Sequence, residues 1–183
     1  MLREPRIRAT LSVDWSLGAV IETWITSKFE FTNVKCKYLD PSFVAMEYCF
    51  IKPINRTYKY VSVRGNIFQR NVTKIKMNFS ISKRVNGYRP FLYNITVDSC
   101  RFLRNTSSHP TAEFFYNILK SHSNLNHTCP YDHDVIIDKL PIGYINHQLT
   151  HVLPFPEGEY LVETYWFAYD IRRAYVGFYG TIS

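Results

Sequence analysis

The residues of this 183-residue chain that could do chemistry concentrate in one run, NHTCPYDHDVIIDKLP (126–141), which holds His127, Cys129, His133, Asp132, Asp134 and Asp138. Neutral imidazole, thiolate and carboxylate are the usual zinc ligands, and histidine with a carboxylate is a common acid–base pair. A second run, His147-Gln148-Leu149-Thr150-His151, has the histidine spacing of the zinc-protease motif HExxH. In that motif two histidines one helical turn apart bind the metal and the glutamate activates water. Here Gln148 stands in the glutamate's place, and an amide cannot serve as the base. The run also lies between Pro141 and Pro154, without a clear helical flank. No GxSxG elbow, GxxxxGK[ST] loop or GxGxxG turn occurs. The expectation is a protein that is not an enzyme, with no catalytic residue, no metal and no cofactor.

Cysteine usage changes the reading of the first run. Cys36, Cys49, Cys100 and Cys129 contain no CxxC pair, and four cysteines suit two disulfides in an oxidising compartment. Three pairings are open at this point. A disulfide sulfur cannot act as a thiolate ligand, so Cys129 leaves the metal set. Asp132 and Asp138 then read as turn and cap residues, and His133 as a residue that orders the loop.

Asparagine supplies the compartment signal. Six of the twelve asparagines open an Asn-x-Ser/Thr acceptor: Asn55, Asn71, Asn78, Asn94, Asn105 and Asn126. With hydroxyl residues at about one position in seven, chance would supply roughly 1.7. The excess points to the secretory pathway and an extracellular glycoprotein. Residues 1–27 are read as a leader, although its apolar run WSLGAVI is bounded by Asp14 and Glu22 and is short for a signal peptide. No later stretch approaches the ~20 apolar residues of a membrane-spanning helix.

The elements that must position these residues are mostly strands. The chain is 46% hydrophobic and 16% aromatic, with only 7 glycines, a composition that excludes disorder and glycine-rich phosphate loops. Alternation with a period of two dominates from Phe29 onward. In TKIKMNFSISK, Ile75, Met77, Phe79 and Ile81 face one way and Asn78 the other; in FLYNITVDS, Tyr93, Ile95 and Val97 oppose Asn94. With Lys28–Tyr38, Phe43–Ile51, Tyr58–Phe68, Tyr160–Ile171 and Ala174–Ile182, about seven strands are expected. PTAEFFYNILKSHS (110–123) is the one short helix, with Pro110 at its start and Ala112, Phe115, Ile118 and Leu119 as an apolar stripe. Residues 130–156, carrying four prolines, read as short extended pieces and turns. Strands at this spacing without alternating helices favour an antiparallel β-sandwich over residues 28–183. In YLVETYWFAYDI apolar residues occupy both faces, which suits either a core plus a partner surface or aromatics lining a cavity between splayed sheets. The net charge of +7 is spread over single and paired Lys and Arg at alternate positions, a solvated face rather than a nucleic-acid footprint.

In order along the chain, FEFTNVKC, YCFIK, NRTYKY, KRVNGYRPFLYNITVDSCRFL, SNLNHTCPYDHDVIIDKLP, LPFPEGEYLVETYW and YDIRRAYVGFYG closely resemble the insect-expanded domain of unknown function 1091 family. That family is similar to the CheB-type chemosensory proteins and, more distantly, to the ML lipid-recognition superfamily. The resemblance covers about residues 28–183. It implies a secreted, immunoglobulin-like (ML-like) β-sandwich whose sheets can part around a small hydrophobic ligand such as a lipid or hydrocarbon. It also implies bridges between Cys100 and Cys129 and between Cys36 and Cys49. The expected function is a secreted binding protein for such a ligand, in chemosensation, working as a monomer. Phe79, Ile81, Phe115, Tyr165 and Phe167 are the expected ligand-binding residues. The alternative is an extracellular interaction protein with a filled core, whose basic face meets a cell-surface receptor or glycan.

Overall fold

The structure is a computed structural model and describes residues 27–183; apart from Ser27, the expected leader lies outside the described residues. Eight strands form two antiparallel sheets. They are β1 (Phe29–Tyr38), β2 (Val44–Pro53), β3 (Lys59–Ile67), β4 (Ile75–Arg84), β5 (Tyr88–Asp98), β6 (Val135–Pro141), β7 (Gly158–Ala168) and β8 (Ile171–Ile182). The larger sheet runs β1-β8-β7-β4-β5 and the smaller β2-β3-β6. Alternation sets their facing: Val61 and Val63 of β3 pack in one cluster with Phe79 and Ile81 of β4 and Val176 of β8. The expected antiparallel β-sandwich is therefore the observed fold.

The two seams of the sandwich are built differently. On one side β1 and β2, an edge strand from each sheet, are joined by Cys36–Cys49, with Cα atoms 6.1 Å apart. On the other, the chain leaves β5 through α1 (Ser99–Phe102), where the Asp98 carboxylate accepts from the Arg101 N–H at 2.9 Å and caps the turn. It continues into α2 (Pro110–Lys120), with proline in its first turn as the sequence suggested. Beyond α2, Ser123 bridges Ile137, so the segment lies along the free edge of β6 and covers it. Cys100–Cys129 fastens α1 to this region, and Val72–Tyr131 bridging ties it to the link before β4.

Three expectations are corrected. The segment 130–156 is more regular than its prolines suggest, for β6 completes the smaller sheet and α3 (Ile142–His147) continues into a π-helical turn, Gln148–Val152. Pro141 is the extended residue preceding α3, where its missing N–H costs nothing. One short helix thus becomes three, and His147 and His151 do have a helical setting, with stacked rings 5.3 Å apart. The final hairpin turns at Tyr169-Asp170 rather than at Arg172-Arg173, so Tyr169 and Ile171 do not extend β7. Both turn residues have positive φ, 53° and 64°, as a two-residue hairpin turn requires. Neither is the glycine or asparagine that usually marks such a turn. The conformation is held from outside: the Tyr169 hydroxyl accepts from the Thr73 N–H at 3.2 Å, and Asp170 binds Lys74 and, at 2.7 Å, Lys76.

Two outcomes follow. Hydrogen bonds from Lys74 and Lys76 hold the Asp170 carboxyl down to about 2. A group lowered by folding stabilises above its unfolded value, near ~3.9 for aspartate, and loses that contribution as pH falls through its folded value. Stability measured by urea unfolding should decline as pH drops from about 4 to 2, and D170N should flatten that decline. The effect should be small because the pair is exposed. Replacing Cys36 and Cys49 together by alanine opens a short loop between β1 and β2, with an expected loss of about 3 kcal/mol in the same assay.

Candidate functional site

The interior between the sheets is not filled. A cavity of about 260 Å³ opens among side chains of β3, β4, β5, β7, β8 and α2. A single water needs roughly 10–15 Å³ of such space, so this is more than a packing defect. Its size reflects the wedge at the α2 seam. Phe115 of α2 packs on Phe79 of β4 with ring centroids 4.4 Å apart and on Tyr93 of β5 at 6.1 Å, and Ile118 and Leu119 reach the same space. Two apolar clusters border it, one with Phe29, Phe31, Ile145 and Phe155 and one with Phe43, Val44, Leu125 and Tyr131. Inward-facing Met77, Ile95, Val162 and Phe178 are only partly buried and border this space.

Four of the five expected ligand-binding residues, Phe79, Ile81, Phe115 and Phe167, line the cavity. β8 carries an extra residue, Arg173, between the partners of Trp166 and Phe167, while the register of β7 with β4 runs unbroken; Phe167 therefore shares a face with Tyr165, opposite Lys76 and 5.6 Å from the Arg172 guanidinium, and meets the cavity border from there. Tyr165 is not among the lining residues. It lies against Tyr175, centroids 5.0 Å apart, with the Arg172 guanidinium 4.5 Å from its ring, as part of the outer surface of the larger sheet. Alternation put it on one face with Phe167, and the unbroken register with β4, Tyr165 opposite Asn78 and Phe167 opposite Lys76, keeps both there. Residues from β3 and β6, such as Val63 and Leu140, complete the wall. Their alternation is legible in β3, whereas β6 falls in the segment 130–156, which the prolines mark as short extended pieces and turns.

Polar groups at the cavity wall are mostly committed to the protein. The Thr164 hydroxyl donates to the Val176 carbonyl at 3.1 Å and accepts from the Trp166 indole N–H at 3.1 Å. The Tyr131 hydroxyl donates to the His127 carbonyl at 2.7 Å, and burial pushes this phenol up to about 12. Arg173 lies 4.2 Å over the Phe43 ring and pairs with Asp40. The Tyr116 phenol is also pushed up, with burial as the cause. Such a lining favours apolar matter and offers few handles for anything charged.

The run 126–141 forms the wall beside this cavity. His127 stacks on Tyr131 at 4.4 Å, and its Nε2 meets His133 Nε2 at 2.7 Å. The outer nitrogens are held as well, His127 Nδ1 by the Thr128 carbonyl at 2.6 Å and His133 Nδ1 by Asn124 and the Asp134 carbonyl at 3.0 and 2.8 Å. Two imidazole nitrogens sharing a tetrahedral metal at 2.0–2.1 Å would lie about 3.3 Å apart, so this pair is spaced for a hydrogen bond. Asp134 turns away to Arg64 and the Ile67 N–H, both at 3.1 Å. Although burial raises its carboxyl, those bonds outweigh that and leave it below the usual range. Among the described residues no three His, Cys, Asp or Glu side chains converge. The cluster orders a loop that carries Leu125, Tyr131 and Val135 to the cavity.

Both disulfides, Cys36–Cys49 and Cys100–Cys129, are present. Of the six acceptor asparagines, Asn55, Asn71, Asn94, Asn105 and Asn126 are exposed. Asn78 is half-buried, and its amide nitrogen donates to Asn94 Oδ1, the Ile95 carbonyl and Thr96 Oγ1 at 3.0, 3.2 and 3.0 Å. A glycan bond would consume that nitrogen, so Asn78 is the acceptor whose use costs the fold most. No described helix is long and apolar enough to cross a membrane.

No curated protein matches the chain. Residues 77–162, from the middle of β4 to β7, match the model of the family described as Protein of unknown function (DUF1091). That stretch, 86 of the 183 residues, contains Cys100–Cys129, α2 and the histidine pair, and over it the chain is similar to the DUF1091 family.

Proposed function

We propose that this protein is a secreted, non-catalytic carrier that encloses a small hydrophobic ligand, a lipid or hydrocarbon, between its sheets. The observation that carries the reading is the continuous apolar cavity of about 260 Å³. At roughly 24 cal/mol per Å³, an empty void of that size would cost on the order of 6 kcal/mol. Stabilities of small domains run only about 5–15 kcal/mol, so such a cost is large enough to call for an occupant. Ligand burial at about 25 cal/mol per Å² supplies the driving force, and the shape of the wall supplies selection. Secretion is supported by the two disulfides and the acceptor asparagines. A role in chemosensation rests on the likeness to CheB-type proteins and to the ML lipid-recognition superfamily. The alternative of a filled core fits this interior less well, while a receptor meeting the basic outer surface is compatible with a carrier.

Filling the cavity separates these readings. In a solid core a larger side chain forces strain and costs about 1–3 kcal/mol. In a carrier, Val162→Trp should leave the melting temperature unchanged or raise it, and weaken uptake of the fluorescent probe 1-N-phenylnaphthylamine at least tenfold. No probe uptake by the unmodified full chain, together with no lipid in an organic extract of protein made in insect cells, would overturn the carrier reading.

A further inference from the structure

One corner of the cavity differs from the rest. Where the hydroxyls of Thr164 and Tyr131 and the guanidinium of Arg173 are tied to protein partners, the hydroxyl of Tyr116 makes no hydrogen bond to a described residue. Tyr116 lies on α2 and borders the cavity, its ring edge-on to Phe102 of α1 with centroids 5.6 Å apart. Ser99, at the start of α1, borders the same space, and its side chain also has no hydrogen-bond partner among the described residues. Burial raises the Tyr116 phenol, so the group is partly withdrawn from water and stays neutral. The Lys120 ammonium lies 5.9 Å from the centre of the same ring. No buried side-chain polar atom among the described residues lacks a partner, so this hydroxyl keeps contact with solvent and marks the wet end of an apolar space; an oxygen-bearing head placed there keeps its hydrogen bonding while its tail leaves water, which an all-carbon ligand cannot match.

We infer that the ligand is a single-chain amphiphile, whose oxygen-bearing head hydrogen-bonds the Tyr116 hydroxyl, with Ser99 beside it, while its hydrocarbon tail runs into the cavity. This rests on the carrier reading above and adds the class of ligand and its direction in the site. The head lies at the α1–α2 corner, next to the half-buried rim of α2, and the tail lies between Phe79, Phe115 and Val162. Tyr116 acts as a specificity residue: it offers a donor and an acceptor to an alcohol or carboxyl oxygen and nothing to an alkane. Lys120 gives a carboxylate head a nearby positive charge without enclosing it.

The test compares decane, 1-decanol and decanoate as competitors of 1-N-phenylnaphthylamine on the full chain and on Tyr116→Phe, with thermal melting as the control for folding. A net hydrogen bond is worth about 3- to 10-fold in affinity. The expected result is that 1-decanol or decanoate displaces the probe 3- to 10-fold more tightly than decane. Tyr116→Phe should abolish that preference, leave decane unchanged and melt as the unmodified protein does. A stronger preference for decanoate that Lys120→Gln reduces supports the carboxylate form of the same assignment. Equal affinities for decane and its two oxygenated analogues overturn the inference and leave the carrier standing. A preference that survives Tyr116→Phe overturns the role of Tyr116, and failure of all three to displace the probe overturns the carrier reading and this inference together. If Tyr116→Phe melts abnormally, Ser99→Ala in the unmodified background replaces it, with a partial loss of the preference expected and an unchanged preference overturning the site.

Discussion

The rest of the structure depends on a difference between two seams. Along one, a disulfide fixes β1 to β2 and sets the distance between the sheets. Toward the other, α2 packs on the larger sheet and places Phe115 against Phe79 of β4 and Tyr93 of β5. A sandwich whose sheets met on both sides would press its inner faces together at the ~10 Å spacing of packed sheets and fill its core. Here one edge is pinned by the disulfide and α2 packs near the other, so the inner faces meet in part, through Val61, Val63, Phe79, Ile81 and Val176, and leave the cavity beside them. Trp166 and Phe178 border that space.

Seen against this difference, the metal-like run near the middle of the chain belongs to the α2 side. Its cysteine anchors α1, its histidines bond each other and the local backbone, and its aspartate at 134 grips Arg64 of β3. All these bonds fix a segment that has no regular structure of its own between α2 and β6. A loop in that position must be ordered by side chains, because it has few ladder bonds to hold it. Chemistry-bearing residues are dense there for the same reason they are dense in active sites: both need short polar groups that reach backbone atoms.

Period-two alternation made β1 to β5 legible, because each has one face in the interior and one in water. It placed Phe79 and Ile81 at the cavity, and the 3.6-residue stripe of α2 placed Phe115 there too. The failures have physical causes. Tyr165 was misplaced because apolar side chains occupy both faces of YLVETYWFA, so alternation alone does not tell the inner face from the outer; the register with β4 puts Tyr165 beside Asn78 on the outer one. The helix after β6 was missed because Pro141 and Pro154 were weighed as breakers, although Ile142, Ile145 and Leu149 carry a helical spacing. The cavity itself was open to two readings, because the same apolar residues line a void or fill a core depending on how far apart the sheets stand. That distance is a tertiary quantity, and no local pattern encodes it.

Keeping a void open has a thermodynamic consequence for how such a protein exists. If the cavity stands empty, the fold carries its cost as an uncompensated loss of contacts between side chains that would otherwise touch. If it is occupied, any ligand that binds the folded chain and not the unfolded one adds stability by mass action, about 2.7 kcal/mol at a hundredfold excess over its dissociation constant. The two disulfides act on the unfolded chain instead, and their contribution does not depend on ligand. On the proposed carrier reading, they let the empty form persist while ligand is taken up and given away. On that reading the two devices divide the work: the packing of α2 leaves the space, and the cross-links stabilise the fold whether or not the space is occupied.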